Sequence, residues 1–94
     1  MAEIRIKVAE KPGHYACSVT VTEGRSTTEH EVTVKKEDYQ RLTLGEVSVK
    51  QLVDESFRFL LERESNTSIL RSFDLMAISR YFPEYEREIK ERLS

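Results

Sequence analysis

Three runs of strict alternation constrain this chain more than any other feature. Ile4, Ile6 and Val8 alternate with Glu3, Arg5 and Lys7. Tyr15, Cys17, Val19 and Val21 alternate with Ala16, Ser18 and Thr20, and Thr28, His30, Val32 and Val34 with Glu29, Glu31 and Thr33. A period of two is the signature of a strand with one face buried. Turn residues separate the runs: Glu10-Lys11-Pro12-Gly13 first, then Thr22 to Ser26 around Gly24. Proline presets φ there and glycine accepts a positive φ.

Register tests whether the runs belong to one sheet. A hairpin centred on Gly24-Arg25 sets Val21 opposite Thr28, Val19 opposite His30, Cys17 opposite Val32 and Tyr15 opposite Val34. A four-residue turn over 10–13 sets Val8 opposite Tyr15 and Ile6 opposite Cys17. Both turns place the apolar sets on one face, and a one-residue slip in either reverses a strand. The expectation is an antiparallel meander of strands 3–9, 14–22 and 27–35. Its outer face, Arg5, Lys7, Ser18, Thr20, Glu31 and Thr33, is polar and can stay wet.

Helical spacing takes over afterwards. Residues 36–42 form a short helix with Tyr39 and Leu42 as its apolar contacts, and Gly45 breaks the chain. Ser48 with Gln51 three residues on fits a capping box. Val49, Leu52, Val53, Phe57, Leu60 and Leu61 then define one seam of a helix over 49–63. Asp54 with Arg58, and Arg58 with Glu62, are helix-surface pairs. Glu64 to Thr67 reads as a polar loop. The last quarter is read as helix in pieces over 69–81, with Ser68 or Asp74 as a cap, then a helix over 83–93 that opens on Pro83. This is a single α+β domain over 1–94, with the helices packed on one face of the sheet.

Charge narrows the function classes. A net charge of −2 offers no long-range attraction for phosphates or anionic membrane. Residues 1–35 hold five acids and five bases, and residues 36–94 twelve acids and ten bases, so neither part is a charged tail. The single Cys17 rules out an intrachain disulfide, and no stretch approaches the roughly 20 apolar residues of a membrane span. A cytoplasmic location follows as an expectation.

Catalytic signals are thin. The three glycines stand apart from one another, so no phosphate-binding loop exists. Cys17 lies mid-strand on the buried face, and His30, one pair along the neighbouring strand, is the only base it could use. His14 opens a strand and is expected to be exposed. Two histidines and one cysteine without ligand spacing do not make a zinc site. No catalytic, cofactor-binding or metal residue is expected.

Residues 75–81, the Phe82-Pro83 turn and residues 84–93 have the outline of a helix-turn-helix. Its reading helix would carry Glu84, Glu86, Glu88 and Glu91 against three bases, which argues against nucleic acid. Interaction with protein is the stronger reading. Phe73, Tyr81, Phe82 and Tyr85 fall within thirteen residues beside Leu75, Met76 and Ile78, and one helix side cannot hide them all. The plainer reading is that they form the floor of the core. The alternative is that some stay exposed as a contact patch, and since aromatic side chains commonly anchor interfaces, these four are the interface candidates. The outer strands, one and three, offer edges for pairing with an identical chain, partly protected by Lys7 and Lys35.

Two segments carry a resemblance. Ile69-Leu70-Arg71-Ser72-Phe73-Asp74-Leu75 and Tyr81-Phe82-Pro83-Glu84-Tyr85-Glu86, with Thr27 to His30 upstream, are similar to a family of short uncharacterised prokaryotic proteins. The likeness runs over nearly the full chain and implies no activity, cofactor or site residue. Three strands followed by a helix also resemble the small antitoxin folds of the HicB type, an analogy of fold. The leading expectation is a non-enzymatic interaction or regulatory module, homodimeric or with a protein partner. An antitoxin-type nucleic-acid regulator is second and a small enzyme third.

Overall fold

A computed structural model describes residues 2–94 and bears out the α+β reading. Strands β1 (Ala2–Lys11), β2 (His14–Glu23) and β3 (Ser26–Lys35) form the antiparallel meander, each slightly longer than expected. The second hairpin has the expected register, Val19 facing His30 and Cys17 facing Val32. Gly24, with φ of +61°, takes the backbone conformation this turn demands. The first hairpin is tighter than the reading allowed. Pro12 and Gly13 (φ +80°) make the whole turn, so Lys11 faces His14 and Val8 faces Cys17 rather than Tyr15. The shift is two residues, and an even shift preserves every face.

Helix α1 (Lys36–Thr43) leaves β3 directly, and Leu44 (φ +54°) with Gly45 (φ +73°) ends it in left-handed geometry. Helix α2 (Val49–Leu61) begins at Ser48, whose Oγ accepts the Gln51 amide at 3.0 Å, and stops two residues short of Arg63. Its seam of Val49, Leu52, Val53, Phe57 and Leu60 is buried, while Leu61 is only half-buried.

The segment after α2 departs from the helical reading. A single 3-10 turn at Asn66–Ser68 is followed by an extended stretch ending in a fourth strand, β4 (Ser72–Asp74). This strand lies parallel to β3, with Val32 beside Phe73, and the Glu31 amide also donates to the Arg71 carbonyl at 2.7 Å. The sheet therefore runs β1-β2-β3-β4 and is mixed. β3 is covered along Glu31–Thr33 and is not the free edge expected of it. A 3-10 turn at Leu75–Ala77 leads into α3 (Ile78–Tyr81), and Asp74 caps it by accepting the Met76 amide at 3.0 Å. Helix α4 spans Tyr85–Leu93, so Pro83 sits in the preceding turn and not at its first position.

The core explains where α4 goes. Phe59, outside the expected seam, is fully buried, and it lies about 200° round the helix from Phe57. One side of α2 thus faces the sheet and the other faces α4, which packs mainly on α1, α2 and α3. Phe59 meets Tyr85 edge-on at 5.3 Å and Phe82 at 5.9 Å. Arg63 lays its guanidinium 3.6 Å from the Phe59 ring centroid and reaches Glu88 at 3.1 Å. Arg92 pairs with Glu62 at 2.6 Å, and Arg41 of α1 bonds both Asp38 and Glu86. Asp54 pairs with Arg58 as read, but Glu62 turns to Arg92 instead of Arg58. Among the described residues, no helix is long and apolar enough to cross a membrane.

Candidate interaction surface

The C-terminal apolar residues divide between the core and one groove. The division starts at His30, whose ring is buried against Phe57 at 5.4 Å between centroids. Its Nδ1 lies 2.7 Å from the Leu70 carbonyl, which can only accept, so Nδ1 carries the proton. Nε2 then accepts from the Thr28 hydroxyl at 2.8 Å. Burial holds the pKa of His30 below its ordinary value and Arg71 adds to this, while the bond to Leu70 opposes it. The neutral ring fixes the chain at Leu70.

A second buried polar residue fixes the loop just before. Asn66 donates from Nδ2 to the Ser26 and Val21 carbonyls at 3.3 and 3.4 Å, and its amide reaches the Glu23 carboxylate. Held at Asn66 and Leu70, the connection can bury only one of its two adjacent apolar residues. Ile69 goes in and Leu70 stays out, 49% exposed.

Leu70, Phe73, Tyr81 and Phe82 then line a groove of about 120 Å³, with Leu60 in its wall and Glu64 beside it. Tyr81 is 66% exposed, and Phe73 and Phe82 are half-buried. Glu64 makes no ion pair among the described residues, and partial burial raises its pKa. The volume is far below the roughly 300–1,000 Å³ of sites that enclose a small ligand. It suits one or two side chains.

Of the four interface candidates, Tyr85 is corrected to the core. It is fully buried, and its hydroxyl shares a 2.6 Å hydrogen bond with Ser56, which also donates to the Leu52 carbonyl. Burial pushes its pKa well above the ordinary tyrosine range. Its position, four residues before Ile89 on the face of α4 turned to α2, accounts for this. Phe73, Tyr81 and Phe82 do meet in one place. Leu70 and Glu64 belong with them and were not singled out by sequence reasoning, although the adjacent pair Ile69-Leu70 already required one apolar residue to face outward.

The other candidates stay apart. Burial and the nearby Glu31 push the Cys17 thiol up to about 11, and both nitrogens of His30 are engaged elsewhere, so the two do not form a nucleophile and base. His14 is half-buried rather than exposed. Among the described residues, no three His, Cys, Asp or Glu side chains gather as metal ligands. The chain matches no family model, no curated protein and no solved structure.

Proposed function

We propose that this chain is a protein-interaction module rather than an enzyme, and that the Leu70–Phe73–Tyr81–Phe82 groove is its contact surface. The observation behind this reading is the pairing of two large exposed apolar side chains with the carboxylate of Glu64, which meets no cation among the described residues. The partner is a protein segment presenting an apolar side chain next to arginine or lysine. The apolar side chain fills the groove, and the cation meets Glu64 where partial desolvation strengthens the pair. The two segments that resemble the short prokaryotic proteins supply Leu70, Phe73, Tyr81 and Phe82 to this groove, and α2 and the loop after it supply Leu60 and Glu64. A cytoplasmic setting belongs to the same reading, as does the absence of nucleic acid among its partners. Glu86 and Glu88 of α4 are held by Arg41, Arg63 and Arg92, so that helix is committed to the body of the domain.

The test uses two short peptides, one with adjacent leucine and arginine and its twin with glutamate in place of arginine. Nuclear magnetic resonance should show the first shifting the signals of Leu70, Tyr81 and Phe82, with the twin binding more weakly. The double variant L70S/Y81S should lose both responses while melting like the parent. Glu64→Gln should erase the preference between the peptides. Neither peptide moving those signals, or the shifts surviving in the double variant, overturns the reading.

A further inference from the structure

The two ends of the sheet differ in length and in protection. β4 is a three-residue strand, whereas β1 runs ten residues and, among the described residues, has no strand paired along its outer side. Long edge strands are normally blunted by charged side chains, a bulge, a proline, or a charge turned inward. Between Ala2 and Val8, β1 carries Arg5 and Lys7 on its wet face as partial protection, but no bulge, proline or inward charge. Its register with β2 is unbroken, Pro12 lies beyond it in the turn, and its covered face there is Ala2, Ile4, Ile6 and Val8. Val8 is 40% exposed although it points to the core side, and Ile4 is only half-buried. We infer that β1 pairs antiparallel with β1 of a second copy, joining two four-stranded sheets into one, with both helical layers on the same face.

The backbone limits the possible registers. The two-residue turn makes Lys11 and His14 a hydrogen-bonded pair, and alternation then turns Glu3, Arg5, Lys7 and Ala9 toward β2. Ala2, Ile4, Ile6 and Val8 therefore direct their N–H and C=O groups outward. In a two-fold dimer these residues must face one another. A two-fold axis at Ile6 sets Arg5 against Lys7 of the second copy twice, and an axis at Lys7 sets lysine against lysine. Like charges directly opposite are destabilising. An axis at Ile4 pairs only residues 2–6 of the described strand with one another, a shorter ladder that takes in neither Lys7 nor Val8.

An axis at Arg5 satisfies the most groups. Ile4 faces Ile6 of the second copy, Ala2 covers Val8, and Glu3 faces Lys7 on the wet side. The two Arg5 side chains meet at the axis as one like-charge pair, which the bond of each to its own Glu3 at 2.8 Å and the two Glu3–Lys7 pairs offset. The interface is self-complementary, as a two-fold contact must be. It leaves the groove free, so dimerisation and peptide binding can fail independently.

Sedimentation equilibrium should show the mass rising with concentration from the 11.0 kDa of one chain toward twice that value. The amides of Ile4, Ile6 and Val8 should gain protection from hydrogen exchange over the same range. Lys7→Glu, an exposed change that leaves folding intact, sets Glu3 against a like charge in two places. It should weaken the dimer about tenfold, and the double change E3K/K7E should restore it. Val8→Pro removes an outward N–H that β2 does not use, so it should abolish the dimer while leaving the β1–β2 ladder protected. A mass of one chain at every concentration overturns the inference. So does a dimer untouched by Val8→Pro, or one that the charge exchange does not restore.

Discussion

The meander and the C-terminal quarter hold similar numbers of large apolar side chains and use them in opposite ways. In β1–β3 the pleat settles each residue's face, so Cys17, Val19, Val21, Val32 and Val34 all point inward and are buried. Between Ile69 and Leu93 no single period governs. Five residues enter the core (Ile69, Leu75, Ile78, Tyr85 and Ile89), while Leu70 and Tyr81 face solvent. A repeated local rule specifies a surface completely. A string of short elements, each three to nine residues long, leaves the division to tertiary contacts.

Phe57 is where the two regions meet, packed on His30 of β3 and 6.1 Å from Phe73 of β4. Phe57→Ala should produce the largest effect, about 3–5 kcal/mol in a denaturant titration. A domain of this size could then be largely unfolded. An unchanged midpoint would separate the regions that this contact is said to join.

The His30–Leu70 bond is the next tie between them. The pKa of the folded His30 is depressed, so the unfolded chain binds the proton more readily. Stability should be intact above the ordinary histidine value of 6.5 and fall as the pH drops from there through the folded pKa. Melting curves across that acid range should show the decline, and His30→Gln should flatten it. A parent protein equally stable throughout would mean the ring is not held neutral.

Two tyrosines sharpen the contrast further. Tyr85→Phe removes the hydroxyl shared with Ser56 and should cost about 1 kcal/mol. Ser56 keeps its bond to Leu52, which limits the loss. Tyr81→Ser, at a surface position, should stay within about 0.5 kcal/mol of the parent. If Tyr81 proved the costlier of the two, inside and outside would be reversed.

The same contrast governs how much could be read in advance. Parity delivered the strands, their buried face and the Val19–His30 register. Local chemistry delivered the Ser48 cap and left Ser68 and Asp74 as alternatives for the next, of which Asp74 is the one used. The first hairpin came out two residues off, because Pro12-Gly13 closes a tighter turn than the four-residue one assumed. β4 was not legible, since three residues show no period and their strand character exists only beside β3. Phe59 was missed for a related reason. A helix seam drawn for one partner surface does not reveal that a second helix covers its opposite side. Aromatic density grouped Phe73, Tyr81 and Phe82, which line one groove, and took in Tyr85, which lies in the core.

The division of the C-terminal quarter can be measured directly with a soluble paramagnetic agent, which broadens the resonances of side chains that solvent reaches. Leu70 and Tyr81 should lose signal early, while Tyr85, Ile89 and Phe59 remain sharp to the highest concentration. Leu70 and Tyr81 as well protected as Tyr85, or Tyr85 attenuated with them, would contradict the account.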